Sequence, residues 1–242
     1  MAFIQASIIG EDFGEEGEGF KITMSAFDHG LYTVASGAMS IIRAYKDTKK
    51  ARKNKMLDYQ SVREKKATVQ DLVKGLNKDD LRRELNEVYN DIEHRIANAG
   101  DAEVIFQPVD PNAKDPFAKE GEAELAWTLG HVIVHLTASM EEAASISQEL
   151  ARGVEFHGRS RWEVPFREVK TIAFCRARLA ESLRMCSAAL DMWPDPPHMD
   201  NTYVMMPGAL PHTPVSRFAS GLKHASDHLE QISEIIRQAK DT

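Results

Sequence analysis

The sequence predicts an all-α fold, a four-helix bundle with long connections that follows an N-terminal extension. Apolar residues recur at three- and four-residue steps in four long stretches, and prolines and glycines gather between those stretches. No set of alternating apolar and polar residues marks out a sheet. The bundle is expected over residues 76–242, and a partly helical extension of unclear role over residues 1–75.

Residues 1–20 mix a short apolar start with Glu11, Asp12, Glu15, Glu16 and Glu18 among four glycines, a composition that suits a loose arm. From Met24 to Ala44, Leu31, Val34, Met39, Ile41 and Ile42 offer a packing face that Gly30 and Gly37 interrupt, so a helix is expected there. Six cations between Lys46 and Lys55 read as a solvated helix face or linker, the alternative being an RNA or phosphate contact. A short helix is expected at Thr68 to Leu76.

The first bundle helix starts at Asn77, a capping residue with Asp79 and Asp80 behind it in the first turn. Leu81, Leu85, Val88, Ile92 and Ile96 share one face, and Gly100 stops the helix. Pro108, Pro111, Pro116 and Gly121 forbid a helix in the next stretch, where Val104-Ile105-Phe106 reads as a short extended piece. The second helix is expected from Glu122 to Arg152, with Leu125, Leu129, Ile133, Leu136 and Met140 on its stripe and Gly153 just past its end. A third, Phe166 to Met192, is ended by Pro194, Pro196 and Pro197, and a fourth runs from Val215 to Ala239.

The chain has 242 residues and a formal net charge of -7, which opposes general attraction to phosphate backbones and anionic lipid. No run approaches the ~18 apolar residues of a membrane span, and the N-terminus lacks a basic leader, so a cytoplasmic protein without membrane contact is expected. Cys175 and Cys186 fall eleven positions apart on one predicted helix, about 16 Å by helical rise, too far for a mutual disulfide. They read as small buried hydrophobes.

Among nine histidines, two pairs stand four apart on predicted helices: His131 with His135, and His224 with His228. Residues at that spacing share a helix face about 6 Å apart, so two imidazoles can hold one cation. The alternative for any one pair is packing or a solvated face. Val132 and Ala225 occupy the position where a zinc protease places its glutamate, and no Glu-x-x-His unit of the di-iron type is present. A mononuclear site remains, with two histidines from one helix, a third from a facing helix, and water in the open positions.

Trp127 precedes His135 by eight positions, and HASDHLEQI runs from His224 to Ile232. These two elements, in this order and about ninety residues apart, resemble the DinB/YfiT-like superfamily of four-helix bundles over roughly residues 78–240. The resemblance implies that His135, His224 and His228 are metal ligands and leaves His131 as an extra histidine, either a further ligand or a residue that supports or packs against the ligand set. It implies a divalent transition metal, with nickel, zinc, iron and manganese all compatible with imidazole. It further implies a metalloenzyme, first a transferase that uses a low-molecular-weight thiol such as bacillithiol, mycothiol or glutathione, and second a metal-dependent hydrolase. A non-catalytic, dimeric, stress-linked metal-binding bundle is the alternative. The expected partners are a small-molecule substrate and a second copy of the chain, not nucleic acid.

Other side chains are candidates for supporting roles. Glu142 lies on the His131/His135 face two turns beyond His135, where it can serve as acid/base catalyst or fix a ligand, against the plainer reading of a solvated glutamate. Arg159 and Arg161, in the linker before Trp162, are candidates to hold a substrate carboxylate, against ordinary surface arginines. Trp127 and Trp162 are candidates to line a pocket, with core anchoring the simpler reading for Trp127. His29, His94, His157, His198 and His212 lack partners at ligand spacing.

Overall fold

A computed structural model describes residues 9–10, 20–21, 57–115 and 121–241. The chain forms two compact units, Met1–Lys55 and Met56–Thr242. In the first, two short strands, β1 (Ile9–Gly10) and β2 (Phe20–Lys21), pair antiparallel where the sequence suggests only a loose arm. The expected helix at Met24 to Ala44 and the Lys46 to Lys55 cation run lie outside the described residues.

The second unit is all-α among its described residues. Helices α1 (Tyr59–Arg63) and α2 (Val69–Leu72) come first, capped by Asp58 and Thr68. They join the bundle core through Tyr59 and Val73, with Leu57, Val69, Leu72 and Leu76 packed against it. Helix α3 (Lys78–Arg95) opens as its sequence dictates: the Asn77 side chain accepts from the Asp79 and Asp80 amides, and the Asp80 carboxylate accepts from the Asn77 amide at 3.0 Å. Its five predicted core residues are all fully buried, each worth roughly 1.5–3 kcal/mol of apolar burial.

At Val104-Ile105-Phe106 the extended expectation is overturned, because Asp101–Ile105 forms a short helix, α4. Gly100 starts a new helical turn instead of merely ending α3, and Glu103 accepts a 2.8 Å bond from the Gly100 amide. Two acids in a first turn outweigh the strand preference of three apolar residues.

Helix α5 (Leu129–Ala151) begins seven residues later than expected, because Thr128 takes the cap and accepts from the His131 amide. It stops at Gly153, whose φ of +83° is the left-handed geometry glycine supplies. The third bundle helix also starts late. Residues Phe166–Glu168 make one 3-10 turn before Thr171 caps α6 (Ile172–Asp191). Both cysteines are free and buried on α6, as their spacing suggests.

The fourth helix is not continuous. It divides into α7 (Pro214–Asp227) and α8 (Leu229–Lys240), with His228 as the joint. There the His228 amide bonds back three residues to Ala225, a tightened turn between the two helices. Arg63 holds this corner from outside, donating to Asp227 at 2.8 Å and to Ser226 at 2.9 Å.

In the bundle, α6 and α7 each pack against both α3 and α5. Helices α5 and α7 run antiparallel in close contact. Along them Ser147 donates to the Pro214 carbonyl, Glu142 faces Arg217, Gly221 abuts Met140 and Ala143, and His135 meets His224. A Cβ at Gly221 would lie 2.5 Å from that of Ala143, so glycine is what lets the two backbones approach. No helix among the described residues is long and apolar enough to cross a membrane.

Candidate metal centre

The close approach at Gly221 carries its consequence one turn along α7. His224 Nε2 comes to 3.0 Å from His135 Nε2 on α5. His228, at the α7/α8 joint, turns its ring edge-on to both, at 77° to His135 and 87° to His224. One ring nitrogen from each of the three lies within 4.8 Å of the others, so the three could hold a metal ion. The 3.0 Å gap suits two donors on one ion at about 2.1 Å, which sit roughly 3.0–3.4 Å apart at octahedral or tetrahedral angles.

The hydrogen bonding at His228 favours the same use. Its Nδ1 pairs with Gln231 Oε1 at 2.8 Å, which places the ring proton on Nδ1. The lone pair is then left on Nε2, and that atom is buried without a partner. A buried acceptor with nothing to accept from is costly unless a cation or water engages it.

Burial favours the neutral form of two of the donors, His224 and His228. It drives His224 down to about 3, with the neighbouring His228 and His135 adding to the effect. His228 is lowered for the same first reason, against an opposing contribution from its bond to Gln231. Imidazoles that stay unprotonated near neutral pH are the form that ligates metal.

His131 stands outside this group. Its ring is stacked between Trp127, at 4.4 Å, and Phe166, at 4.1 Å. Burial lowers it to about 4, partly offset by Glu163, and its Nδ1 has no partner. Trp127 touches His135 as well, at 4.4 Å, and stacks toward His228 at 5.8 Å, so it walls the site from the side of α5. The remaining described histidines do not join the cluster. Trp162 is 74% exposed.

The connection between α5 and α6 crosses the site as a strap and brings side chains to it. Arg161 Nη2 lies 3.1 Å from His135 Nδ1 and 3.3 Å from the His135 carbonyl, and it pairs with Glu163. Glu163 Oε2 is 3.5 Å from His135 Nδ1, and Oε1 is 3.9 Å from His131 Nε2. Burial pushes Glu163 up, but its bond to His135 and the nearby charges outweigh that and hold it below the usual range.

Glu142 and Arg159 form a second polar cluster two turns away along α5. Glu142 is buried, not solvated, and accepts two bonds from Arg159 at 2.9 and 2.6 Å. Arg217 lies 3.8 Å from it on α7. The structure therefore brings Arg161 to the histidines and keeps Glu142 and Arg159 with each other.

Glu163, Gln231 and Phe166 are the site residues that sequence reading leaves unassigned. Gln231 sits three residues past His228, the helical spacing at which a side chain reaches back to a ligand. Glu163 had no such signal, because it meets the histidines through a loop.

Comparison with curated proteins and with solved structures gives no match. The DinB superfamily profile matches residues 71–232, which contain the whole described cluster. With that match and the helical fold beneath it, the chain belongs to the DinB superfamily.

Proposed function

We propose that the protein is a mononuclear metal-dependent S-transferase that takes a low-molecular-weight thiol as cosubstrate, with His135, His224 and His228 as the metal ligands. The convergence of these three imidazoles is the observation that carries the reading. A divalent ion held by neutral ligands keeps its full positive charge and favours the thiolate form of a thiol at neutral pH.

The nucleophile is assigned to a cosubstrate because the chain's own thiols are unsuited to the role. Burial pushes Cys175 and Cys186 up to about 12, and both belong to the core. A buried thiol at that value is inert near neutral pH.

The remaining residues divide between support and recognition. Trp127 shields one side of the histidines from water, and Gln231 fixes the orientation of His228. Arg161, a fixed cation next to the cluster, is placed to receive an acidic group of the substrate. Glu142 is engaged by Arg159 and close to Arg217, so its part in this reading is to fasten the strap to α5, not to move protons. Arg159 contributes to substrate binding only by holding that strap in place.

The test is metal analysis of untagged full-length protein, followed by assay of the loaded protein with an electrophile and each of several thiols. One equivalent of metal and thiol-dependent turnover are expected. Turnover with water in place of a thiol would make the protein a hydrolase, and metal without turnover would make it a binding protein.

A further inference from the structure

Two strap residues compete for one nitrogen of His135. Arg161 Nη2 is 3.1 Å from Nδ1 and Glu163 Oε2 is 3.5 Å from it, while Arg161 and Glu163 also pair with each other. A guanidinium only donates, whereas a carboxylate only accepts. The two neighbours therefore demand opposite protonation of the same atom.

With Arg161 on Nδ1, that nitrogen must carry a lone pair, and the single proton of neutral His135 sits on Nε2. It then points at His224 Nε2, 3.0 Å away. In that tautomer the nitrogen facing the other two histidines is a donor and cannot ligate a cation. Ligation through Nε2 requires the proton on Nδ1, where Glu163 can accept it and Arg161 cannot remain. His228 needs no such change, because Gln231 already holds its proton on Nδ1.

We propose that Glu163 is the positioning residue for His135 in the metal-loaded protein, and that Arg161 holds the opposite tautomer when metal is absent. Metal loading then moves one proton from Nε2 to Nδ1 within the neutral ring and exchanges Arg161 for Glu163 at Nδ1. The inference rests on the assignment of His135 as a ligand and adds to it the strap residues that set its readiness.

The experiment titrates metal-free full-length protein with Co(II), followed by its visible absorption bands. In parallel, zinc is added to protein carrying 15N-labelled histidine, and NMR reads the imidazole tautomers. Wild type is expected to show His135 protonated on Nε2 before metal and on Nδ1 after it. Glu163→Ala should bind Co(II) about 10- to 100-fold more weakly. Glu163→Gln retains a carbonyl acceptor and should recover most of that loss. Arg161→Ala should bind at least as tightly as wild type, with metal-free His135 shifted toward the Nδ1-protonated form.

Unchanged affinity in Glu163→Ala overturns the inference while leaving the ligand assignment intact. So does a parallel loss in Glu163→Ala and Arg161→Ala, which would mean that the pair merely anchors the strap. Wild-type protein that takes up no Co(II) overturns both the inference and the metal reading.

Discussion

His135 on α5 and His224 on α7 bring their Nε2 atoms to 3.0 Å although 89 positions separate them in sequence. Nothing local to either helix creates that contact. It follows from the antiparallel packing of α5 on α7, with Gly221 as the point of closest approach and His228 completing the group at the helix joint. Replacing His135, His224 or His228 singly by alanine is expected to lower metal affinity on the order of 100-fold or more, with helical content unchanged. Metal stoichiometry by elemental analysis, next to circular dichroism, checks this, and occupancy that survives all three losses together would remove the metal reading.

Gly221 permits a sharper test of the packing. In a solvated helix Gly→Ala stabilises by up to about 1 kcal/mol. Here the added methyl would lie 2.5 Å from Ala143 Cβ and 2.8 Å from Met140 Sδ, so overpacking should reverse the sign. Gly221→Ala is expected to destabilise by roughly 1–3 kcal/mol in denaturant unfolding and to weaken metal binding by spreading α5 from α7. The double variant Gly221→Ala/Ala143→Gly removes one of the colliding methyls and should restore much of both.

His131 predicts a pH dependence of the metal-free fold. Burial lowers it to about 4 from an ordinary value of 6.5, so between those values the unfolded chain binds a proton that the folded chain does not. Stability therefore rises with pH across this window. The contribution of His131 is complete above about pH 6.5 and is lost as pH falls toward 4. The shift corresponds to about 3 kcal/mol, which solvent screening of the partly exposed ring reduces to an expected loss of about 2 kcal/mol, and His131→Phe, which keeps the stack between Trp127 and Phe166, should flatten that part of the profile. Urea unfolding of both proteins from pH 4 to pH 7.5 decides it.

Much of the bundle can be read from sequence because its signals are local. The Asn77 cap, the Leu81 to Ile96 stripe and the Gly153 stop each depend on residues within a turn or two, and each is found in the structure. Spacing alone offers two histidine pairs, His131/His135 and His224/His228; the choice of His135, His224 and His228 comes from the family resemblance carried by Trp127, His135 and HASDHLEQI, and the structure brings those three side chains together. What escapes depends on tertiary contacts. Nothing in HASDHLEQI announces that the helix breaks at His228, since the sequence there is helix-compatible. Glu163 reaches His135 only because a connection of irregular backbone folds over the site, and Glu142 is buried because an arginine from that connection and another from α7 meet it.

That last cluster separates a structural Glu142 from a chemical one. Arg217 is almost fully buried, and its Nε has no partner, so the carboxylate of Glu142 at 3.8 Å is its principal countercharge. Arg159 differs, because its guanidinium is largely exposed and can return to water. Glu142→Ala would strand a buried cation and should destabilise by about 3–5 kcal/mol, whereas Arg159→Ala should cost about 1 kcal/mol or less. Both variants should still bind one equivalent of metal, since neither touches the histidines, and thermal and denaturant unfolding with metal analysis provides the check. A Glu142→Gln protein that keeps wild-type stability and metal yet loses turnover would contradict the structural assignment, because an amide can replace much of a fastening role but cannot exchange a proton as a carboxyl group does.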